Sequence, residues 1–410
     1  MKELILLILV AFLATVSLKS QVTRYVTVTG AGAMTGLSWA DASPDLQAMI
    51  NASAPGDEIW VGSGTYEPIY DASNVFGPPT PGNPDNAFVI HNGVFLRGGY
   101  SATGGGPRNW ITNQTILTGL LNSGLRAYHI LIAVNATGIS GIEGFYFQYG
   151  TANGGGNISV LGSIIERDCG GAIYIGNATF KMGYTDISDN LAIRKGAGVY
   201  SLNSPSILIK ESNIWGNFAD MGASVYLENS TIADLLHNNI YQNQSFSDGA
   251  GYALIGCGHV EIRDTDIHNN RASRNGGGIY NFSSYINMYN SNITNNNAAQ
   301  SGGGLYNENI SNTIIAQSFI SDNTAIEGAG MYNFNSTLTI QQSCITNNNA
   351  VTNGGGVLNT NTTTTLINVE IDNNTATAGG GIYEDNNSNS ALYNVLINDN
   401  QSASNGAGMY

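Results

Sequence analysis

Residues 276–280 read Gly-Gly-Gly-Ile-Tyr, and residues 293–296 read Ile-Thr-Asn-Asn. The leading glycine of the first pattern recurs ten times, with steps of 25 to 27 residues. The ten positions are Gly170, Gly196, Gly222, Gly249, Gly276, Gly302, Gly328, Gly354, Gly379 and Gly406. A fixed period of this length indicates a tandem-repeat protein, in which each repeat packs mainly against its neighbours.

The second pattern is an isoleucine followed three residues later by asparagine, and it occurs nine times at the same period. The isoleucines are Ile187, Ile214, Ile240, Ile267, Ile293, Ile320, Ile345, Ile371 and Ile397. The asparagines are Asn190, Asn217, Asn243, Asn270, Asn296, Asn323, Asn348, Asn374 and Asn400. We expect the isoleucines to form an internal ladder. We expect each asparagine to adopt a left-handed backbone and to pass amide hydrogen bonds along the stack.

The segments between these turns are three to six residues long and alternate apolar with polar residues, as in Tyr-Ile-Asn-Met-Tyr at 285–289. A period of two predicts strands, and helical repeats or propeller blades would need a helix or about 40 residues per unit. The sequence therefore predicts an all-β, right-handed, single-stranded parallel β-helix. Each coil would have about 26 residues and three short strands.

The chain divides into three predicted regions. Residues 1–20 resemble a secretory signal peptide, because the apolar stretch 4–18 is shorter than the roughly 20 residues of a membrane span. Residues 21–150 would form an N-terminal cap and irregular coils. A short helix starting at Ser43-Pro44 would cap the stack, and a proline-rich loop at 70–86 would protrude from it. Residues 151–410 would form the regular coils, and we expect the natural protein to continue beyond Tyr410.

Composition limits the partners. The formal net charge is −15, charged residues are only 10%, and no lysine or arginine follows Arg274. The sequence therefore predicts no nucleic-acid partner, because a phosphate backbone would find no extensive basic surface. The sequence predicts no transmembrane helix, no cofactor and no metal site, and we expect a monomer.

The two repeat patterns resemble those of polymorphic outer membrane proteins, which carry Gly-Gly-Ala-Ile and Phe-x-x-Asn motifs. Residues 170–173 match the first motif, whereas isoleucine replaces phenylalanine in every copy of the second. Residues 56–66, Gly-Asp-Glu-Ile-Trp-Val-Gly-Ser-Gly-Thr-Tyr, resemble the start of secreted bacterial β-helix proteins of the pectate-lyase-like superfamily. These resemblances imply a bacterial protein that is secreted or associated with the outer membrane. They indicate function weakly, since β-helices carry lyases, hydrolases and adhesins alike.

A catalytic site would need acids near a base or a cation on neighbouring coils. The densest such group is His259, Arg263, Asp264, Asp266 and His268, so these are the candidates if the chain is an enzyme. We expect no catalytic residue, because coils that lie far apart cannot pool carboxylates and stacking is not expected to bring like charges close together.

The column that follows each conserved isoleucine contains Ser188, Trp215, Tyr241, His268, Thr294, Ser321, Thr346, Asp372 and Asn398. This mixture excludes the threonine ladder of an ice-binding face. Our leading hypothesis is a non-catalytic, secreted or cell-surface protein with an adhesion or glycan-contact role, binding polysaccharide or a cell-surface glycoconjugate. The alternative is a polysaccharide lyase or glycoside hydrolase on the same fold.

Overall fold

A computed structural model describes residues 20–91, 93–136, 138–385 and 387–410. The predicted signal peptide, apart from residue 20, lies outside the described residues. The chain winds into successive coils whose strands form four parallel sheets, each running along the stack. Regular coils contain four strands, whereas three were predicted, as in Val199–Leu202, Ser206–Lys210, Asn213–Trp215 and Phe218–Ala219. The fourth strand has only two residues, which is too short to give an alternating pattern in the sequence.

We number the sheets by their order within a coil, starting after the glycine turn. Sheet 1 consists of Phe88–Ile90, Leu131–Val134, Ile173–Gly176, Val199–Leu202, Val225–Glu228, Tyr252–Ile255, Ile279–Phe282, Leu305–Glu308, Met331–Phe334, Val357–Thr360 and Ile382–Asp385. Sheet 2 consists of Thr23–Val26, Glu58–Gly62, Phe95–Tyr100, Ser140–Glu143, Phe180–Gly183, Ser206–Lys210, Ile232–Leu236, His259–Arg263, Tyr285–Tyr289, Asn312–Ala316, Thr337–Gln341, Thr363–Ile367 and Asn389–Tyr393.

Sheet 3 consists of Gly64–Tyr66, Thr115–Thr118, Phe145–Gln148, Asp186–Ser188, Asn213–Trp215, Asn239–Tyr241, Asp266–His268, Asn292–Thr294, Phe319–Ser321, Cys344–Thr346, Glu370–Asp372 and Leu396–Asn398. Sheet 4 consists of Thr151–Ala152, Leu191–Ala192, Phe218–Ala219, Gln244–Ser245, Arg271–Ala272, Asn297–Ala298, Thr324–Ala325, Asn349–Ala350, Thr375–Ala378 and Gln401–Asn405. An antiparallel hairpin, Asn157–Val160 with Ser163–Glu166, is inserted before the first regular coil.

The conserved isoleucines point inward and form part of one continuous apolar core. Beside them the asparagines form a buried amide ladder. Asn270, for example, donates from Nδ2 to the Ile240 carbonyl at 2.9 Å and to Asn296 Oδ1 at 3.1 Å. The ladder asparagines were predicted to adopt the left-handed backbone conformation. In the structure the residue before the ladder asparagine adopts it instead, for example Asn269 with φ 55°. That turn directs the asparagine side chain inward, where it satisfies backbone groups.

The N-terminal region contains one α-helix, Leu46–Ala52, and two short 3₁₀ helices, Trp39–Asp41 and Ala72–Asn74. The α-helix is N-capped by Asp45, which accepts from the Ala48 amide at 2.8 Å; the predicted start at Ser43-Pro44 was two residues too early. Its buried residues Leu46, Met49 and Ile50 join the main core.

The proline-rich loop does not protrude from the stack as predicted. Ala72 and Val75 are buried in a second apolar cluster on the outside of sheet 1, together with the inserted hairpin. The Asp85 carboxylate binds the Arg167 guanidinium at 2.6 Å, which fastens the loop to the segment after the hairpin. Apolar side chains in the part of the loop that precedes its prolines therefore pack this segment over the sheet.

Candidate functional site

Three aromatic rings stack on the outer face of sheet 3, one from each of three consecutive coils. Trp215 and Tyr241 have ring centroids 5.8 Å apart and planes within 7°, and Tyr241 and His268 lie 5.3 Å apart and within 2°. The three residues pair directly in register, so the coil repeat itself brings the rings together. All three side chains are half-buried, which leaves one edge or face of each exposed. We call Trp215, Tyr241 and His268 the aromatic ladder.

Polar side chains in the neighbouring outward column hold these rings in place. The Trp215 indole N–H donates to Asp186 Oδ1 at 3.1 Å, and His268 Nε2 lies 2.9 Å from Asn239 Oδ1. Burial raises the pKa of the Asp186 carboxyl and lowers the pKa of the His268 imidazole. The two hydrogen bonds fix the orientations of the Trp215 and His268 rings before any ligand arrives.

The aromatic surface extends from the ladder towards the N-terminal coils. Tyr146 is the register partner of Asp186 on sheet 3, and Trp110 approaches Tyr146 and Tyr184 with centroid distances of 6.0 and 6.4 Å. Trp110 and Tyr184 line a shallow pocket of about 280 Å³ with Arg108. At the roughly 4.8 Å strand spacing, the face from Tyr146 to His268 extends about 19 Å along the stack.

The five catalytic candidates do not form one group. His259 and Arg263 lie on the outer face of sheet 2, whereas Asp266 and His268 lie on sheet 3, because the chain turns at Asp264, whose φ is 49°. The Asp264 carboxylate accepts from the Asn290 amide and has the His237 imidazole at 3.6 Å. The fold thus separates residues that the sequence places within ten positions, and His268 belongs to the aromatic ladder.

The structure brings together two acids that the sequence analysis did not select. Asp234 and Glu261 are register partners on the outer face of sheet 2. Burial, followed by the charge of Glu261, raises the pKa of Asp234. Glu261 pairs with the Arg263 guanidinium, and its carboxylate lies 4.0 Å from His259 Nε2. The expectation that stacking keeps like charges apart was wrong for this pair. Asp234 and Glu261 are one coil repeat apart in the sequence, and this spacing could have indicated that the two acids pair.

A third cluster of polar groups consists of Glu166, Asp168 and Cys169. The carboxylate oxygens of the two acids and the Cys169 Sγ lie within 4.8 Å of one another. The Arg194 guanidinium contacts this group, at 3.2 Å from Glu166 Oε1 and 3.3 Å from Asp168 Oδ1. Burial raises the pKa of the Cys169 thiol, which disfavours the thiolate that a metal requires. An ion pair with arginine accounts for this cluster.

The fold defines the class of protein. Residues 197–376 match the family described as the right handed beta helix region. Together with the four parallel sheets, this match confirms the predicted right-handed parallel β-helix. The narrower resemblance to polymorphic outer membrane protein repeats stays a prediction. No curated protein sequence matches the chain.

Three solved structures are similar to this chain. Pectate lyase Pel9A has a TM-score of 0.44 and 13% identity, with 92% of this chain and 79% of that chain covered. The A-module of the mannuronan C-5 epimerase AlgE6 of Azotobacter vinelandii has a TM-score of 0.41 and 11% identity, with 89% and 93% covered. PfbA, a surface adhesin of Streptococcus pneumoniae, has a TM-score of 0.39 and 11% identity, with 89% and 88% covered.

Within the residues that the structure describes, no helix has the length and apolar character needed to cross a bilayer.

Proposed function

We propose that this chain is a secreted or cell-surface protein that binds glycan, without catalysis, through the aromatic ladder. The observation that carries this proposal is the stack of three nearly parallel rings at coil spacing. Sugar rings have apolar C–H faces that pack against the negative face of an aromatic ring, and half-exposed Trp and Tyr combine apolar area with a polar tip. Export rests on the predicted signal peptide.

The polar neighbours of the ladder suit the hydroxyl groups of a sugar. Amides and carboxylates supply both acceptors and donors, and a few fixed polar groups beside an apolar surface are typical of ligand sites. Asn213, Asn239 and Asn292 supply amides in this column, and Asp266 accepts from Asn292 Nδ2 at 2.6 Å. Because the face follows the stack axis, it fits a polymer lying along the coils better than a single sugar.

The acids on this face are badly placed for glycoside hydrolysis. Asp186 and Asp266 belong to the same column but are separated by three coil steps. At about 4.8 Å per step they lie roughly 14 Å apart, beyond the 6.5–9.5 Å of inverting and the 5–5.5 Å of retaining carboxylate pairs. This separation favours binding over cleavage at the ladder.

Affinity electrophoresis with soluble neutral and uronic-acid polysaccharides tests the proposal. Trp215→Ala and Tyr241→Ala should each weaken the affinity measured by retardation by about tenfold or more, because truncation removes exposed aromatic surface that contacts the sugar. Tyr285→Ala is the matched control, since Tyr285 is also half-buried and stacks on a histidine, His259, but on sheet 2. Equal loss in the control variant, or no loss in the ladder variants, would contradict glycan contact through the ladder.

The second candidate function is polysaccharide cleavage on sheet 2, and the Asp234–Glu261 pair favours it. Register partners in adjacent coils have backbones about 5 Å apart, which is compatible with the carboxyl separation of a retaining acid–nucleophile pair. The raised pKa of Asp234 suits a general acid, with Glu261 as nucleophile. In a reducing-end assay, this function predicts turnover that disappears in Asp234→Asn and Glu261→Gln and survives in Asp266→Asn. Turnover that depends on Asp266 but not on Asp234 would reject it.

A further inference from the structure

The outer face of sheet 3 continues beyond the aromatic ladder into a pocket nearer the N-terminal end of the stack. Trp215 pairs in register with Ser188, and Ser188 pairs with Gln148, so Gln148 is two coil steps or about 10 Å from Trp215. Thr118 is the register partner of Gln148. The pocket has a volume of about 410 Å³, which is within the range of ligand sites. Its lining includes Glu67, Ile116, Thr118, Leu120, Gln148 and Tyr149, and we call it the Tyr149 pocket.

Part of this lining is apolar. Ile116 is half-buried on its strand, whereas Leu120 and Tyr149 follow the ends of their strands and are 49% and 37% exposed. The Arg126 guanidinium lies over one face of the Tyr149 ring, 5.2 Å from its centroid, so the ring meets a ligand with its remaining surface. We call Ile116, Leu120 and Tyr149 the apolar wall. An apolar group of a ligand gains free energy by covering such a wall, because both leave water.

The polar groups of the pocket offer both donors and acceptors. Thr118 Oγ1 accepts from the Leu120 amide at 3.1 Å, and its own hydroxyl hydrogen can donate. Glu67 Oε2 accepts from the Asn122 amide at 2.8 Å, and the second carboxylate oxygen can accept. The Gln148 amide can do both. The pocket therefore suits a ligand group that combines an apolar part with a donor and an acceptor.

We propose that the Tyr149 pocket binds the acetamido group of an N-acetylated sugar within the glycan that lies along the aromatic ladder. The acetamido methyl group packs against the apolar wall. Its carbonyl oxygen accepts from Thr118 or Gln148, and its N–H donates to Glu67. A hydroxyl group in the same place has no methyl group to cover the wall, and a uronate is repelled by the Glu67 charge. This inference rests on the proposed function, since it names the class of sugar that the glycan contains.

Ligand-observed saturation-transfer NMR on the full chain tests the pocket with two matched pairs of probes. The pairs are N-acetylglucosamine with glucose, and N-acetylgalactosamine with galactose, and each pair differs by an acetamido group in place of a hydroxyl group. At least one N-acetylated sugar should bind about tenfold more tightly than its counterpart, because it buries a methyl group and adds a hydrogen bond. The acetamido methyl protons should receive the strongest saturation. Equal binding within both pairs, or no binding of either N-acetylated sugar, overturns the proposal.

Variants assign the binding to this pocket. Leu120→Ala and Gln148→Ala should each weaken binding of the N-acetylated sugar by about fivefold or more, because the first removes apolar surface and the second a hydrogen-bonding group. Leu125→Ala is the matched control, since Leu125 is a leucine of the same loop that is 53% exposed but lines a neighbouring pocket. It should bind as the unchanged chain does. Unaltered binding in both pocket variants, or an equal loss in the control, overturns the proposal.

Trp215→Ala separates the pocket from the ladder. A monosaccharide reports on the pocket, whereas polysaccharide retention reports on the ladder, so this variant should weaken polysaccharide binding and leave binding of the N-acetylated monosaccharide unchanged. If polysaccharide retention also stays unchanged, the ladder is rejected and the acetamido pocket is still supported. If monosaccharide binding disappears in Trp215→Ala, the acetamido group is bound at the ladder and the pocket proposal is overturned.

Discussion

At the residue scale, a buried asparagine of the amide ladder satisfies several polar groups at once. Asn270 Oδ1 accepts from the backbone amide and the side-chain amide of Asn243, at 3.1 and 3.0 Å. Its own Nδ2 reaches the Ile240 carbonyl at 2.9 Å. Each coil turn therefore depends on the asparagine of the next, which explains why the column contains no substitution in nine copies.

Replacing Asn270 by alanine should lower the free energy of unfolding by on the order of 3 kcal/mol, because it leaves several buried donors and acceptors unpaired. Guanidinium titration followed by circular dichroism measures this loss. Asn292→Ala is the control, since Asn292 is half-buried on the outer face of sheet 3 and should change the value by less than about 0.5 kcal/mol. Similar losses in the two variants would argue against the ladder as a source of stability.

The buried Asp186 carboxyl should make the stability of the folded chain depend on pH. Burial raises its pKa in the folded chain above the unfolded value, so the folded state binds this proton more tightly. Its contribution to stability is complete below about pH 4 and is lost as the pH rises through the folded-state pKa. Asp186→Asn should therefore flatten the fall in thermal unfolding midpoint as the pH rises above about 4, because the charge that burial disfavours is absent.

Thermal unfolding across that pH range is the measurement, with Asp399→Asn, an exposed carboxyl, as the matched control. If the thermal unfolding midpoint falls with pH as steeply in Asp186→Asn as in the unchanged chain, the result would count against burial of the Asp186 charge.

At the element scale, close contact between coils depends on glycines inside the turns. A Cβ on Gly278 would lie 2.6 Å from the Gly304 carbonyl oxygen of the next coil. Gly278→Ala should therefore cost roughly 3 kcal/mol of stability, because backbone atoms cannot move aside as a flexible side chain can. Chemical unfolding measures the effect. Gly155→Ala, where a Cβ would meet nothing within 4 Å, should be nearly neutral. A neutral Gly278→Ala would show that the coils can separate without cost.

The glycine and isoleucine columns were sufficient to predict a coil of about 26 residues, and the alternating segments between them predicted three strands in each coil. The strands of sheet 4 were missed, since two residues such as Leu191–Ala192 give no alternation. The residues of the aromatic ladder were identified in the sequence as members of one column. That column was compared only with the threonine ladder of an ice-binding face. The stacking of the aromatic ladder depends on ring orientation, which hydrogen bonds from neighbours such as Asp186 determine and which spacing alone does not reveal.

At the scale of the whole molecule, the net charge of −15 influences which glycans can approach. A neutral polysaccharide should bind the ladder with an affinity that changes little between about 0.05 and 0.5 M salt. A uronic-acid polymer should bind more weakly at low salt and gain affinity as salt screens the repulsion. Affinity electrophoresis at several salt concentrations measures both trends. Tighter binding of the acidic polymer at low salt would contradict this prediction and point to Arg108 in the pocket beside Trp110 instead.

The central claim is that the chain binds glycan through the aromatic ladder and leaves it intact. The most direct test incubates purified residues 21–410 with a panel of neutral and uronic-acid polysaccharides, and measures retained protein, new reducing ends and unsaturated products in the same samples. The Trp215→Ala, Tyr241→Ala double variant is carried in parallel. We predict retention on at least one polymer, loss of that retention in the double variant, and no products in either. Products from the unchanged chain, or retention that survives the loss of both rings, would contradict the account.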